Sequence, residues 1–289
     1  PRHRIAVLDG SYHGDTIGTM SVGARGVFNA AYQPLMFAVD SLPFPEGDGA
    51  ATLAAFEALA AQGDLAALIV EPLVLGAGGM LMYPPEVLAR LRAACDRHGV
   101  LLIADEVMTG WGRTGRLWAC DHAGIAPDIL CTSKGLTGGA IPLAATLATE
   151  AVFAAHWSED RAKTFFHSSS YTANPIACAA GLANARIWQA GGMQGQLDAL
   201  GAMQAERLAT VGGAARFTGA RRCGSIAALD LRVDGAGYLA AAGQRLRGSA
   251  LDQGVLLRPL GSTVYVLPPY GISAAELDRV WDAIAAFAP

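Results

Sequence analysis

The chain has almost no lysine. Lysine and arginine together number 21, yet Lys134 and Lys163 are the only lysines, which leaves 19 arginines. Charge is sparse in general, at 16% of 289 residues, and low for a surface that faces only water. That shortage implies that part of the exterior is covered by another subunit. Net charge is −4 and no basic run occurs, which excludes a nucleic-acid partner on electrostatic grounds. A membrane span is also missing. The longest stretch without Asp, Glu, Lys or Arg, Thr164 to Ala185, holds His167, three serines, Asn174 and Pro175. Cysteines number five, an odd count, and are scattered, as expected of reduced thiols in a cytoplasmic protein. No signal peptide is recognisable. The sequence starts at Pro1 and enters an apolar run at Ile5, so it reads as a piece whose N-terminal segment is missing.

Against this background Lys134 stands out. It closes the run Ile129-Leu130-Cys131-Thr132-Ser133. Surface charge could be supplied by arginine, but an amine that must become a nucleophile cannot, because a guanidinium does not deprotonate in practice. An earlier run, Val100 to Ala104, ends in Asp105-Glu106. An acid and a lysine at the ends of buried strands suggest pyridoxal phosphate chemistry, the lysine as Schiff-base amine and the acid against the pyridinium nitrogen. A structural salt bridge between the two stays open on these residues alone.

Short apolar runs alternate with helical patterns to about residue 190. Strands are expected at Ile5–Leu8, Leu35–Val39, Ala67–Glu71, Val100–Val107, Ile129–Ser133 and Leu143–Thr149. Most do not alternate polar with apolar, as expected of a parallel sheet covered on both faces. Helices are expected at Ala51–Gln62 and at Pro85–His98, the latter opened by proline and closed by Gly99. Asn174-Pro175 reads as an N-cap with proline at the first helical position. The pattern predicts an α/β fold with a mostly parallel, doubly wound sheet over residues 1–192. Ligands of such sheets lie at the carboxyl ends of strands, where Asp105 and Lys134 fall. Residues 193–289 read as a smaller α+β domain. It has strand-like pieces at Ile226–Leu231, Val255–Leu257 and Val264–Leu267, and a last helix opened by the capping box Ser273/Glu276.

Other groups are weaker. Tyr12 follows the first strand among glycines and suits either stacking on a planar cofactor or an ordinary loop. His167-Ser168-Ser169-Ser170-Tyr171 precedes a helix start, where hydroxyls and amides suit a phosphate, and is equally a plain serine-rich turn. Gly110 to Gly115 matches G-x-G-x-x-G but lacks the following helix and acidic residue of a dinucleotide site, leaving Arg113 to contact substrate or a subunit interface. Cys95, His98, Cys120 and His122 have no metal-knuckle spacing, so no metal is expected.

Several segments carry a family resemblance. They are Tyr12-His13-Gly14-Asp15, Glu71-Pro72 with Gly76 to Met80, and Asp105-Glu106-Val107 with Thr109 to Gly115. Downstream are Ala126-Pro127-Asp128 leading to Ser133-Lys134, then Asn174 to Ala180, Arg258-Pro259 and Val266 to Tyr270. Across nearly its whole length the chain resembles the class III pyridoxal-phosphate-dependent aminotransferases of fold type I. It is most similar to their biotin-biosynthesis branch.

The resemblance implies roles residue by residue. Lys134 would be the Schiff-base lysine and proton shuttle, Asp105 the partner of the pyridinium nitrogen, and Tyr12 the stacked aromatic, which also meets substrate. Ser169 and Ser170 would serve the cofactor phosphate, Ser170 from the neighbouring subunit of a homodimer. Ser168 and Arg258 would meet substrate, Arg258 through its carboxylate. Tyr265 stands where ornithine- and 4-aminobutyrate-type relatives lack a tyrosine. The implied substrates are S-adenosylmethionine and 8-amino-7-oxononanoate. Another ω-amine transaminase, an aminomutase, or a non-catalytic protein of this fold stays open. The family's Gly/Ser phosphate turn and its pocket-wall aromatics belong to a segment ahead of residue 1.

Overall fold

The computed structural model describes residues 2–27, 29–235, 237 and 239–288. In chain order the elements are β1 (Arg4–Leu8), α1 (Ile17–Ser21), β2 (Asp40–Leu42), α2 (Ala50–Ala60), β3 (Leu65–Val70), β4 (Val74–Leu75) and β5 (Leu81–Met82). Then come α3 (Pro85–His98), β6 (Leu101–Asp105), β7 (Ile129–Thr132), β8 (Ala145–Ala148), α4 (Glu150–Ala154) and α5 (Pro175–Gln189). The last are α6 (Met193–Gly212), β9 (Phe217–Cys223), β10 (Ile226–Leu231), α7 (Ala241–Asp252), β11 (Thr263–Val266) and α8 (Ala274–Ala286). The chain forms two compact units. The first holds residues up to Leu73, Tyr83–Trp111 and Trp118–Gly191. The second holds everything from Gly192 onward together with two excursions, Val74–Met82 and Gly112–Leu117.

The first unit is an α/β layer around a six-stranded sheet in the order β2-β1-β3-β6-β7-β8. The first five strands are parallel and β8 is antiparallel to β7. The central strands are nearly all apolar because helices cover them. Val7, Leu8, Leu68, Val70, Leu102 and Ala104 are all within 1% of full burial, as are Phe56 of α2 and Leu88 and Leu91 of α3. Helix α3 is set by its ends: Pro85 begins it, Glu86 lies in its first turn, Arg97 and His98 in its last, and Gly99 closes it at φ 60°.

The second unit carries the three-stranded antiparallel sheet β11-β10-β9. Leu200 and Leu208 of α6, Leu246 of α7, and Leu277, Trp281 and Ile284 of α8 pack with Ala227 and Leu229 into one core. The capping box that opens α8 is formed: Ser273 Oγ accepts from the Glu276 amide, and the Ser273 amide donates to Glu276 Oε2. In this core Gln204 is fully buried and fully paired, donating to the carbonyls of Ser225 and Val266 and accepting from Trp281 Nε1.

Two expected strands do not form. Leu35–Val39 is the end of a 3-10 turn and extended chain, with Leu35 and Phe37 exposed. The edge strand begins later, at Asp40, where Arg4 binds the Asp40 carboxylate at 2.6 and 2.9 Å. Val255–Leu257 joins no ladder among the described residues, although Val255 and Leu257 are buried.

Candidate active site

The sheet order brings three strand ends together. β3 lies between β1 and β6, and β7 follows β6, so the loop after β1, the end of β6 and the turn after β7 share the carboxyl edge of the first unit. Asp105 is the last residue of β6 and is paired in register with Cys131 of β7. Lys134 begins the 3-10 turn Lys134–Thr137 two residues past β7. The acid and the amine of the sequence analysis therefore stand at the ends of neighbouring parallel strands.

Asp105 is held from two sides. Its Oδ2 is 2.8 Å from His13 Nδ1 and its Oδ1 accepts from the Val107 amide at 3.1 Å. The His13 side chain is 1% exposed and that of Asp105 11%. With Nδ1–H donating to the carboxylate, His13 Nε2 is left buried with no hydrogen-bond partner among the described residues. A carboxylate has about four acceptor sites, and two are used here. The remainder suit an N–H donor such as a protonated pyridine nitrogen.

Tyr12 is fixed at both ends. Its amide donates to Glu71 Oε1 at 2.9 Å and its hydroxyl to Asp15 Oδ1 at 2.8 Å. Partial burial, with the acceptor bond to Asp15 and nearby acids, pushes the phenol up to about 12. Glu71 is itself buried, and its carbonyl accepts from the buried Tyr83 hydroxyl at 2.9 Å.

The lysine turn is braced. Lys134 has φ 40°, in the left-handed region that a side chain rarely adopts. Trp111 Nε1 donates to Thr132 Oγ1 at 2.9 Å, and the Cβ and indole of Trp111 leave no room for a Cβ at Gly135. Trp111 also meets Trp118 and Trp188 edge-on, with ring centroids at 5.5 and 6.0 Å. Ser133 Oγ donates to the Leu143 carbonyl and Thr137 Oγ1 to that of Ile141.

Glu106, next to Asp105, has a different task. It is fully buried and accepts from Thr109 Oγ1, the Ala119 amide and the Cys120 amide at 2.5 to 3.0 Å. Burial pushes its pKa up, partly offset by those donors. It anchors the loop that follows β6. Within that loop Gly110, the first glycine of the G-x-G-x-x-G match, serves packing. A Cβ on Gly110 would lie 2.7 Å from Trp118 and 2.8 Å from the Glu106 carbonyl.

Ser168, Ser169 and Ser170 are exposed in the turn before α5. The helix start offers less to a phosphate than the sequence suggests. Asn174 Oδ1 already accepts from the Ile176 and Ala177 amides, and the Ser169 amide donates to Thr172 Oγ1. In the second unit Arg258 is exposed. Arg113, also in that unit, donates to Ser225 Oγ at 3.1 Å and to the Pro268 carbonyl at 2.7 Å, and lies 4.5 Å from the Tyr270 ring centre. Burial pushes its pKa down from the usual guanidinium value. Among the described residues no group of three or more His, Cys, Asp or Glu could hold a metal ion, and no helix is long and apolar enough to cross a membrane.

His13, Trp111 and Asn184 (which donates to the lysine turn) carry no role in the sequence reading. The first was visible only as the neighbour of Tyr12.

A model of the class III aminotransferase family matches residues 1–287. The chain belongs to that family. This class III aminotransferase is 48% identical to adenosylmethionine-8-amino-7-oxononanoate aminotransferase of Synechococcus elongatus, over 99% of this chain and 69% of that protein. It is 38% identical to the protein of that name from Geobacter sulfurreducens, over 98% of this chain and 67% of the relative. Among solved structures it superposes on that of the Methanocaldococcus jannaschii adenosylmethionine-8-amino-7-oxononanoate aminotransferase with a TM-score of 0.91 at 30% identity, covering 98% of this chain and 68% of that one. An amine transaminase from an uncultivated Pseudomonas species, in its PLP-bound form, gives 0.89 at 35% identity, covering 99% and 69%. The class III aminotransferase described here thus spans about two thirds of these relatives. Membership makes it a pyridoxal-phosphate-dependent enzyme of the α/β transaminase fold, as the sequence led one to expect.

Proposed function

We propose that this aminotransferase moves an amino group from S-adenosylmethionine to 8-amino-7-oxononanoate, giving 7,8-diaminononanoate for biotin biosynthesis. The observation that carries the reading is 48% identity to the Synechococcus enzyme over 99% of the chain, with Lys134, Asp105 and Tyr12 at the strand ends such a site requires.

Pyridoxal phosphate supplies an electron sink for the bond that ionises next to the migrating nitrogen. The protein supplies placement and charge. Lys134 Nζ would hold the cofactor and, once released, carry the proton between two carbons. Asp105, steadied by His13, would present its carboxylate to the ring nitrogen and hold a proton there. Tyr12, tied down through its amide and hydroxyl, would cover one ring face. Ser169 and Ser170 would bind the cofactor phosphate, Ser170 across a subunit boundary, while Ser168 and Arg258 would meet substrate. One set of residues then serves both half-reactions, which gives ping-pong kinetics.

A homodimer fits the surface. Trp157, Phe165, Phe166, Tyr171 and Ile176 of the first unit are each more than 60% exposed, an apolar display unusual for a lone soluble chain. The five cysteines form no disulfide among the described residues, which supports a cytoplasmic setting.

The test is an absorbance scan of the cofactor-loaded full-length protein with S-adenosylmethionine, then with 8-amino-7-oxononanoate, with the product identified by mass. The expected result is loss of the lysine-linked cofactor band with the donor and its return with the acceptor. Turnover only with other amine donors and ketone acceptors would assign the chain to the ω-amine transaminases instead.

A further inference from the structure

We propose that Asn184 is a positioning residue for Lys134, acting through the backbone of the lysine turn. The inference rests on Lys134 being the cofactor lysine.

Asn184 lies in the middle of α5, some fifty residues after the turn. Its Nδ2 donates to the Gly135 carbonyl at 2.8 Å and to the Leu136 carbonyl at 3.2 Å. Asparagine is a poor residue for a helix interior, since its side chain competes for backbone partners. Here that capacity is turned outward, to carbonyls of another element. One helical turn earlier Gly181 lets α5 come close. A Cβ there would already touch Leu143 at 3.3 Å and approach the Leu136 carbonyl at 3.7 Å. α5 is well suited as an anchor, being 15 residues long and firmly capped by Asn174 with Pro175 following.

The turn needs such an anchor. Lys134 sits at φ 40°, and a strained residue keeps its conformation only when its surroundings over-determine it. Trp111 closes one side of Gly135, and Asn184 holds the carbonyls of Gly135 and Leu136. Freed from that hold, the turn could relax toward ordinary helical angles and swing the lysine away from its working position. A displacement of about 1 Å at a reacting group costs on the order of a hundredfold in rate.

Three variants of the full-length holoenzyme test this. Asn184→Asp keeps the shape but sets an acceptor against two carbonyls. Asn184→Ala removes the contact. Lys134→Ala is the control for the underlying reading. The measurements are cofactor affinity, the pH midpoint of the lysine-linked absorbance band, kcat and KM separately, and Tm of the cofactor-free protein. For both Asn184 variants the expected result is about a tenfold or greater loss of kcat, with KM within about twofold, and a displaced band midpoint. Wild-type kcat and band midpoint in Asn184→Ala overturn the proposal, whether or not Tm falls, since a lower Tm alone marks a packing contact. If Asn184→Asp does not fold, Asn184→Ala decides. A band that survives in Lys134→Ala refutes the assignment of the lysine rather than the role of Asn184.

Discussion

His13 Nδ1 lies 2.8 Å from Asp105 Oδ2, joining the loop after β1 to the end of β6 across 92 positions, with the imidazole 1% exposed. The contact lends Asp105 a fixed orientation that its own strand does not provide. Replacing His13 with phenylalanine should leave the carboxylate short of a buried donor. We expect a loss of about 1–3 kcal/mol in urea unfolding of the cofactor-free protein, and weaker cofactor binding. Asp105→Asn should cut kcat about a hundredfold or more while the fold survives, as judged by circular dichroism.

Lys134→Arg preserves the charge but not the chemistry. A guanidinium stays protonated at any working pH and makes no covalent link to an aldehyde. We expect the variant to lack the lysine-linked absorbance band and to lose about 10³-fold or more of its turnover. Retained turnover would remove Lys134 from the mechanism.

Tyr12 gives a pH signature. Its phenol is pushed up to about 12, from an ordinary value near 10. Because the folded value is the higher one, its contribution to stability is complete below about pH 10 and is lost as pH rises toward 12. Ultraviolet titration of the cofactor-free protein should show one tyrosine ionising near pH 12 that is absent from Tyr12→Phe. An equal loss of signal near pH 10 would contradict this.

Gly135 cannot take a side chain where it stands. A Cβ there would come within 2.5 Å of Trp111. Gly135→Ala should destabilise the protein by about 1–3 kcal/mol and weaken cofactor binding. The 2.5 Å neighbour is the Trp111 Cβ, so adding Trp111→Gly, at a residue with φ 56°, should recover part of the stability, and a double-mutant cycle by thermal unfolding measures the coupling.

How far these relations could be read in advance depends on their range. Pro85 to Gly99 is legible because both signals act within one helix. Asp105 and Lys134 are legible because each ends its own apolar run. Leu35–Val39 misleads because an exposed apolar stretch looks the same in one dimension as a buried strand. His13 and Asn184 could not be found that way. Their partners are set by the strand order and by the seat of α5, and no local pattern encodes either. Glu106 shows the finest distinction. It adjoins Asp105, yet it secures the loop after β6 from within the core, and only coordinates separate the two duties.

The indole cluster of Trp111, Trp118 and Trp188 carries a practical consequence. Three of the five tryptophans gather around Trp111, which packs on the lysine turn. A chromophore bound at Lys134 and absorbing in their emission range would quench them, so intrinsic fluorescence offers a label-free gauge of cofactor occupancy, readable in a stopped-flow instrument without any engineered dye.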